Sequence, residues 1–352
     1  MAWPVGHMLD EGLGFSQQLQ DQLRDVHIRP LATAADVVDG MKFLVTGGAG
    51  FIGGHIVERL VRDGHAVRVL DDLSSGKLAN LEAVRSKLEF VEGDIRDRAT
   101  VRRAMAGVEH VIHEAAWRSV PKSMADPCGY TNVNVLGTVN VLEEARAAKV
   151  KRVVFASSSS VYGDTDHLPF QEDQLVAPIS PYAMSKLCGE HYCRLFAKSY
   201  GLETVALRYF NVFGPRQSLE NQYAVVVPKF IACLLRRESP PVYGDGTQSR
   251  DFTYIDNVAE ATIRASQVPG VSGEVFNVAL GTAHSVLELL EALNTIMALS
   301  VQPSFQPPRP GDVPRTLGDP AKAKRLLRWE GRVGFAEGLQ RSVEWFRDHP
   351  PG

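Results

Sequence analysis

From Lys42 onward, short apolar runs alternate with longer stretches in which apolar residues recur at the spacing of a helix. Six of the runs predict buried strands, namely KFLVT (42–46), AVRVL (66–70), LEFVEG (88–93), HVIHEA (110–115), RVVFAS (152–157) and TVALRYF (204–210). Strands that alternate with helices favour a parallel sheet covered by helices on both faces. The pattern therefore predicts an α/β fold with a doubly wound parallel sheet.

Past about Gly214 the pattern breaks into pieces separated by proline and glycine. Helices are predicted there near 225–237, 256–267, 285–297 and 335–347. We expect residues 41–213 to hold most of the sheet. Residues 214–352 should form a smaller α/β C-terminal domain over the edge where the strands end, although segments of the two domains can interleave.

Residues 1–40 differ from the remainder because they are polar and lack a strand pattern. At most they hold one helix, around Phe15 to Val26, and a second methionine, Met41, stands directly before the first predicted strand. Our hypothesis is that residues 1–40 are an extension of unknown role. Deletion up to Met41 should leave activity intact, and loss of folding on that deletion would contradict the hypothesis.

Composition and charge exclude several function classes. A chain of 352 residues, 44% of them hydrophobic, can bury a substantial core, and a net charge of −3 supplies no basic surface for nucleic acid or anionic membranes. The four cysteines form no Cys-x-x-Cys pair, so neither a metal site nor a disulfide framework is predicted. No apolar run approaches the roughly 20 residues of a membrane span, and no signal-peptide pattern opens the chain. We expect a cytoplasmic protein.

The segment KFLVTGGAGFIGGHIVERL places Gly47, Gly50 and Gly53 where a predicted strand meets a predicted helix. Glycines at these positions allow a tight turn and a close approach of the backbone to a pyrophosphate, with helix N-terminal amides facing the anion. The next strand ends at Asp71, 24 residues after Gly47. A carboxylate there accepts hydrogen bonds from ribose hydroxyls and repels a 2′-phosphate. The cofactor is therefore predicted to be NAD, bound mainly by residues 41–213.

The segment ISPYAMSK places Tyr182 and Lys186 four residues apart, on one face of a predicted helix. A tyrosine that acts as a base at neutral pH needs its pKa lowered by about 3 units, or roughly 4 kcal/mol. One ammonium at about 4 Å in an effective dielectric near 20 supplies about that much before desolvation is subtracted. Lys186 together with a positive nicotinamide ring can provide it, and a serine hydroxyl would complete the proton path.

Together, the motifs TGGAGFIG, EGDIRD, SSSSVYG, YAMSK and RYFNVFGPR resemble the extended short-chain dehydrogenase/reductases, and specifically the nucleotide-sugar 4-epimerases. The resemblance extends from Met41 to about Pro350 and implies a Rossmann-type sheet, with residues 214–352 mainly binding the nucleotide sugar. It implies that Ser158, four residues before Tyr162, is the catalytic hydroxyl beside Tyr182 and Lys186. The cofactor-binding residues that we predict are Gly47, Gly50, Phe51, Ile52, Gly53, Asp71, Asp94, Ile95, Ala115, Arg118, Tyr182, Lys186 and Tyr209.

The two positions after the catalytic hydroxyl indicate the reaction. By the same resemblance, 4,6-dehydratases of this family have Asp-Glu at these two positions, and decarboxylases have a glutamate at the second. This chain has Ser159 and Ser160 instead. A serine is not an acid near neutral pH, so dehydration is disfavoured. The resemblance implies a minimal cycle in which Tyr182 takes the sugar 4-hydroxyl proton, C4 gives a hydride to NAD, and the 4-keto sugar turns over and takes the hydride back.

The resemblance also implies a UDP-hexose substrate. The predicted substrate-binding residues are Ser158, Ser159, Ser160, Asn211, Tyr243, Arg250, Arg309, Asp312 and Thr316, with the two arginines on the diphosphate and Asp312 at the uridine ribose. Thr316 occupies a position that is a bulky tyrosine in epimerases confined to glucose and galactose. A pocket open to N-acetylated sugars is therefore favoured, with UDP-glucose and UDP-galactose also accepted.

Other functions stay open at this point. A UDP-glucuronate 4-epimerase or decarboxylase is one alternative, although the stretch GPRQSLEN departs from the Arg-Pro-Asp expected of glucuronate epimerases. A non-catalytic NAD-binding regulator is another, because a fold does not fix a function. The resemblance further implies a homodimer that pairs through helices around 135–149 and 182–199.

Overall fold

A central parallel sheet organises the protein, whose computed structural model describes residues 40–219, 226–308 and 313–350. The strands are, in chain order, β1 (Lys42–Thr46), β2 (Ala66–Asp71), β3 (Leu88–Glu92), β4 (His110–His113), β5 (Arg152–Ser158), β6 (Glu203–Tyr209), β7 (Val212–Phe213), β8 (Pro241–Tyr243), β9 (Ser249–Arg250), β10 (Thr253–Tyr254), β11 (Glu274–Val278), β12 (His284–Ser285) and β13 (Ser304–Gln306). Within the described residues, seven strands form the parallel sheet in the order β11-β6-β5-β4-β1-β2-β3. The others pair as β10 with β7, β12 with β9 and β13 with β8.

Helices flank the sheet and continue into the second half of the chain. The α-helices are α1 (Phe51–Arg62), α2 (Arg98–Met105), α3 (Val120–Ala125), α4 (Pro127–Tyr130), α5 (Gly137–Ala147), α6 (Pro181–Tyr200), α7 (Val226–Leu235), α8 (Ile255–Gln267), α9 (Val286–Met297) and α10 (Phe335–Asp348). Short 3₁₀ helices cover Leu78–Lys87 and Ser159–Tyr162, and π-helical turns cover Thr131–Leu136 and Ala323–Leu327. Across the described residues, no helix is long and apolar enough to cross a membrane.

Alternate residues of the strands face two separate hydrophobic cores. Phe43 and Val45 of β1 pack in one core, with apolar residues of α1 and α8. Leu44 of the same strand packs in the other core, with residues of α2, α5 and α6. Because successive strand residues point to opposite faces, strands buried on both faces read as the continuous apolar runs of the sequence. The predicted doubly wound parallel sheet is confirmed.

The six predicted strands correspond to β1–β6, with every boundary within two residues. The seventh strand of the sheet, β11, was not predicted. Its sequence EVFNV comes after the proline- and glycine-rich region and pairs with β6, some 70 residues earlier in the chain. Helix α8 likewise packs in the core of the sheet. The division into domains at residue 213 stays a prediction, and residues 1–39, including the helix expected around Phe15, lie outside the described residues.

The strand order places a reversal between β4 and β1. From β1 the chain moves to β2 and β3 on one side, and then returns to β4 on the other side of β1. The carboxyl ends of two neighbouring strands whose connections run in opposite directions leave a crevice, and ligands of doubly wound sheets bind there. Thr46 ends β1 and His113 ends β4, so the residues that follow them border this crevice.

Candidate active site

The glycine loop after β1 is built so that backbone rather than side chains borders the crevice. Gly47 has a φ of +69°, and a Cβ there would lie 2.6 Å from the amide nitrogen of Ala115. A Cβ on Gly53 would clash with the carbonyl oxygen of Gly47. Helix α1 begins after Gly50 with no side-chain cap from any described residue and no acidic residue in its first turn. Its first amides therefore remain available to an anion such as a pyrophosphate.

Asp71 ends β2 at the same edge of the sheet and is 6% exposed. Its carboxylate accepts hydrogen bonds from the backbone amides of Ala49 and Leu73, both at 2.9 Å. Burial raises the pKa of Asp71, while the two amide bonds oppose that rise. The carboxylate thus connects the glycine loop to the end of the next strand, and its other lone pairs can accept from a ribose.

One pocket joins these features. Its lining includes ten of the predicted cofactor residues, which are Gly47, Gly50, Phe51, Ile52, Gly53, Asp71, Asp94, Ile95, Ala115 and Arg118. Lining residues that were not predicted come mostly from the loops after β2 and β4 and include Asp72, Ser74, Glu114, Ala116 and Trp117. An anion-binding loop, a buried acid one strand away and an extended pocket between them fit a dinucleotide.

Ser158 and Tyr182 meet at the end of β5. The Ser158 hydroxyl accepts hydrogen bonds from the amide of Ser160, at 3.2 Å, and from the hydroxyl of Ser160, at 2.8 Å. Its own proton remains available for a neighbouring acceptor, and Ser158 lies near enough to Tyr182 to lower the pKa of the phenol. Burial is the larger effect and raises the pKa of Tyr182, while the charge of Arg118 lowers it.

Lys186 lies one turn along α6 from Tyr182 and is 4% exposed. Its ammonium donates to the carbonyl oxygen of Ala156 at 2.7 Å and lies 5.0 Å from the centre of the Phe155 ring. Burial lowers the pKa of Lys186 to about 8, and the negative charge of Glu114 opposes that change. The charge of Arg118 lowers the pKa of Tyr182, a contribution that the sequence analysis did not include, and the role of Lys186 at the phenol stays a prediction.

Glu114 follows β4 and is an acid that the sequence analysis missed. Its carboxylate accepts a hydrogen bond of 2.7 Å from the hydroxyl of Tyr209, the last residue of β6. Burial raises the pKa of Glu114 to about 7, against the opposing effects of Tyr209 and Lys186. The available signal was the segment HVIHEA, in which an acid follows an apolar strand at the carboxyl edge of a parallel sheet.

A second polar cluster lies directly beside Ser158 and is called here the Glu190 cluster. It consists of Ser157, Tyr162, Glu190, Arg208 and Asn277. Ser157 donates to Glu190, and Arg208 forms a two-pronged ion pair with Glu190 at 2.9 and 2.8 Å, with both charged side chains at most 5% exposed. Tyr162 donates to the Asn277 side chain at 2.6 Å.

On the predicted substrate side, the structure brings Asn211 and Thr316 together. The Thr316 hydroxyl donates to the Asn211 side-chain oxygen at 3.2 Å, and Thr316 is 8% exposed. Arg250 lies alongside the same chain segment, with its guanidinium 3.3 Å from the carbonyl oxygen of Pro314. Tyr243 instead lines a second cavity with Phe305 and Pro314. Arg309 and Asp312 lie outside the described residues.

Comparisons with known proteins agree with this geometry. A model of the NAD dependent epimerase/dehydratase family matches residues 43–279. A UDP-glucose 4-epimerase from Mycolicibacterium smegmatis is 42% identical over 312 residues, which cover 88% of this chain and 99% of that protein.

Two solved structures are similar along nearly their whole length. A UDP-N-acetylglucosamine 4-epimerase from Methanobrevibacter ruminantium, in complex with UDP-N-acetylmuramic acid, is 38% identical with a TM-score of 0.85 and covers 89% of this chain and 100% of its own. A UDP-glucose 4-epimerase from Thermotoga maritima, with UDP-glucose, is 38% identical with a TM-score of 0.84 and covers 88% of this chain and 100% of its own.

Proposed function

The chain belongs to the NAD dependent epimerase/dehydratase family, and from that premise we propose that it is a UDP-hexose 4-epimerase that accepts N-acetylated sugars as well as UDP-glucose and UDP-galactose. The single observation that carries the proposal is the position of Ser158 beside Tyr182, where the serine hydroxyl lowers the pKa of the phenol. The two residues that follow Ser158 are serines, so no carboxyl group stands there to remove water or direct a decarboxylation.

Three side chains would handle the proton of the sugar 4-hydroxyl. When bound, NAD would supply the acceptor and donor of the hydride of sugar C4 and a positive charge that favours an ionised base. Tyr182 holds the hydroxyl proton between the two transfers, and Ser158 links the phenol to the sugar oxygen. Lys186 adds a positive charge one helical turn away, where it favours the phenolate.

The phenol of Tyr182 needs nearby positive charge to act as a base, because burial raises its pKa. Tyr182 is thus protonated at neutral pH in this structure, and a further positive charge in the pocket would lower its pKa. This arrangement ties base activation to the presence of the dinucleotide, which is what a cofactor that is regenerated in every turnover requires.

The sugar specificity rests on Thr316 beside Asn211. A threonine that bonds to Asn211 leaves more room than a tyrosine would, and a small residue here favours acceptance of an N-acetyl group. We further assign Arg250, Arg309 and Asp312 to the diphosphate and ribose. Tyr243 borders the nucleotide side of the substrate site. A planar guanidinium suits a phosphate because it can donate two parallel hydrogen bonds.

The experiment that tests the function has two parts. The purified protein is denatured and the supernatant is assayed for NAD and NADH; separately, the intact protein is given UDP-glucose, UDP-N-acetylglucosamine or UDP-glucuronate, and the products are separated by chromatography. Interconversion of a C4 epimer pair supports the proposal. Bound NAD without interconversion of any pair refutes it and favours the regulator, while turnover of UDP-glucuronate alone favours the glucuronate alternative.

Thr316→Tyr tests the substrate range. We expect this variant to lose most turnover of UDP-N-acetylglucosamine and to keep turnover of UDP-glucose. Thr316→Val is the matched control, because it removes the hydroxyl and keeps the volume, and it should retain both activities. Unchanged N-acetyl activity in Thr316→Tyr would show that the assignment of residue 316 is wrong.

We also propose a symmetric homodimer that pairs through α5 and α6. Leu136, Met184 and Leu195 support this, since each is large and apolar and each is 46 to 50% exposed. Light scattering after gel filtration should give twice the chain mass for the wild type, and Leu195→Glu should shift the protein towards the monomer. A monomeric wild type at micromolar concentration would contradict the proposal.

A further inference from the structure

Glu114 is a buried acid that the proposed proton path does not use. Its amide donates to the carbonyl oxygen of Thr46 at 3.0 Å, which fixes it at the reversal between β1 and β4. Its side chain lines the dinucleotide pocket next to Ala115 and Ala116. The charges of Lys186 and Glu114 act on each other, so the carboxylate that lines the pocket lies near the ammonium of Lys186.

The hydrogen bonds around Glu114 accommodate both of its charge states. The Tyr209 hydroxyl is 2.7 Å from the Glu114 carboxylate and 2.8 Å from the hydroxyl of Thr262. The Thr262 hydroxyl can donate either to Tyr209 or to the carbonyl oxygen of Val258, which lies 2.8 Å away. When Glu114 is ionised, Tyr209 donates to it and accepts from Thr262; when Glu114 is protonated, it can donate to Tyr209, which donates to Thr262, and Thr262 then donates to Val258. Neither state leaves a polar group without a partner.

The other charged and titratable groups near Glu114 are cationic or neutral, so the ionised Glu114 carboxylate is the negative charge among them. Arg118 is cationic, and Lys186, whose pKa is about 8, is cationic at neutral pH. Burial keeps Tyr182 and Tyr209 neutral phenols by raising the pKa of each. His113, the residue before Glu114, is neutral because burial lowers its pKa to about 3, and its ring bonds to Thr46 and Thr138.

We propose that the ionised carboxylate of Glu114 stabilises the oxidised, positively charged form of the bound dinucleotide over the reduced form, and so offsets the opposite effect of Lys186. The inference rests on the NAD site of the proposed function. Reduction of the ring adds a hydride, which is two electrons and one proton, and removes one positive charge. In the proposed reaction the sugar C4 supplies that hydride and the 4-hydroxyl proton goes to Tyr182. A nearby anion disfavours the loss of positive charge.

The consequence concerns release of an incomplete product. A cofactor that is reduced too readily would leave the 4-keto sugar free to dissociate while the hydride stays behind on the enzyme. Glu114 limits this because it shifts the balance back towards the oxidised cofactor and the hydroxyl sugar. Its protonation near pH 7 makes the effect depend on pH: it is present above that pH and is lost as the carboxyl becomes neutral below it.

The test is the ratio of the dissociation constants of the full chain for NADH and NAD, measured by titration calorimetry on wild type and on Glu114→Gln after bound dinucleotide is removed. Glutamine has the shape of glutamate without the charge. At pH 8.5 we expect the variant to lower the ratio Kd(NADH)/Kd(NAD) about tenfold, which corresponds to about 30 mV for a two-electron couple. At pH 5.5 the wild type and the variant should agree within about twofold.

A matched control removes the same charge elsewhere in the pocket. Asp72 lines the pocket beside Asp71, and Asp72→Asn should change both dissociation constants by a similar factor and leave their ratio intact. Equal ratios for wild type and Glu114→Gln at pH 8.5, or a lowered ratio that does not depend on pH, would overturn the inference. A uniform loss of affinity for both forms would also overturn it, since that indicates a structural role.

Tyr209→Phe keeps the inference testable if Glu114→Gln does not fold. The hydrogen bond from Tyr209 lowers the pKa of Glu114, so its removal should move the midpoint of the pH dependence of the ratio to higher pH. An unmoved midpoint counts against the inference. None of these measurements uses a sugar, so a protein without epimerase activity that still shows the charge effect would refute the proposed function and leave this inference standing.

Discussion

Two polar clusters meet at the end of β5, one residue apart, and they are built for opposite purposes. In the Glu190 cluster, Ser157 and Arg208 both bond to one carboxylate, and every charge has a fixed partner of opposite sign. In the proposed catalytic cluster of Ser158, Tyr182 and Lys186, the serine lies beside a phenol whose pKa is raised, close to an ammonium whose pKa is lowered. The first cluster stabilises charges in a fixed position, and the second keeps its groups in forms that a ligand can change.

The two clusters have similar residue types and similar burial, so the pairing of their charges is what separates a structural polar group from a reactive one. Both clusters contain a serine of β5, a tyrosine and a residue of α6. A buried ion pair whose hydrogen bonds are all made within the protein has few donors or acceptors available to bind a ligand. Groups whose pKa values are shifted by burial respond strongly to a new charge, which is why perturbed pKa values concentrate at functional sites.

The largest expected effect separates two tyrosines. Tyr182→Phe removes the proposed base, and kcat should fall by about 10²–10⁴ while the melting temperature changes little. Tyr162→Phe is the matched control in the Glu190 cluster; it removes a hydrogen bond to Asn277, and we expect nearly normal kcat with a loss of about 1 kcal/mol in the free energy of unfolding. Similar activity losses in the two variants would break the comparison.

Next in size is the effect of Glu190→Gln on stability. The variant leaves the buried guanidinium of Arg208 without its counter-charge, which should lower the free energy of unfolding by about 3–5 kcal/mol in denaturant titrations. Glu337→Gln is the control, because Glu337 pairs with Arg341 on the exposed face of α10 and should contribute less than about 0.5 kcal/mol. If the two variants were equally stable, the Glu190 cluster would not be the rigid element described here.

The adjacent serines give a sharper version of the same contrast. Ser158→Ala should lower kcat about 10²-fold with a small effect on stability, because it removes the hydroxyl that we propose links Tyr182 to the sugar. Ser157→Ala should do the reverse, with kcat nearly normal and about 2 kcal/mol lost from the free energy of unfolding. Steady-state kinetics and thermal unfolding of both variants test this contrast. A large loss of kcat in Ser157→Ala with normal kcat in Ser158→Ala would place the catalytic hydroxyl at residue 157.

The smallest effect is a pH dependence of stability that comes from Glu114. Its folded-state pKa lies near 7, above the unfolded value, so its contribution to stability is complete below about pH 4.5 and is lost as the pH rises through 7. Relative to Glu114→Gln, wild type should lose up to about 2 kcal/mol of unfolding free energy between pH 5 and 8. Parallel stability curves for the two proteins would mean that Glu114 titrates normally.

Local patterns in the sequence predicted the parts of the site that depend on neighbouring residues. The loop after β1 and the first turn of α1 contain Gly47, Gly50 and Gly53, and Asp71 ends the next strand. Their spacing in the sequence therefore places all four residues at the carboxyl edge of the sheet. The helices after residue 214 were predicted to within about two residues for the same reason, since each carries its own apolar periodicity.

Residues that act through long-range contacts could not be found this way. In the sequence, Glu190 is one polar residue among several on the predicted helix α6. None of its neighbours in the chain indicates that it pairs with Arg208. The serine run FASSSSVYG gives no local reason for Ser157 and Ser158 to differ; the difference follows from which partner each meets in the folded chain. Strand β11 was missed because its place in the sheet depends on pairing with β6.

The hydrogen bond from Ala49 to Asp71 bears on any attempt to re-engineer cofactor preference. Exchanging this acid for a small neutral residue is the obvious way to admit a phosphorylated ribose. Yet the same carboxylate also accepts a hydrogen bond from the amide of Ala49, so the exchange would loosen the glycine loop that we propose binds the pyrophosphate. A successful redesign for NADP therefore has to supply a new acceptor for that amide before it changes the charge.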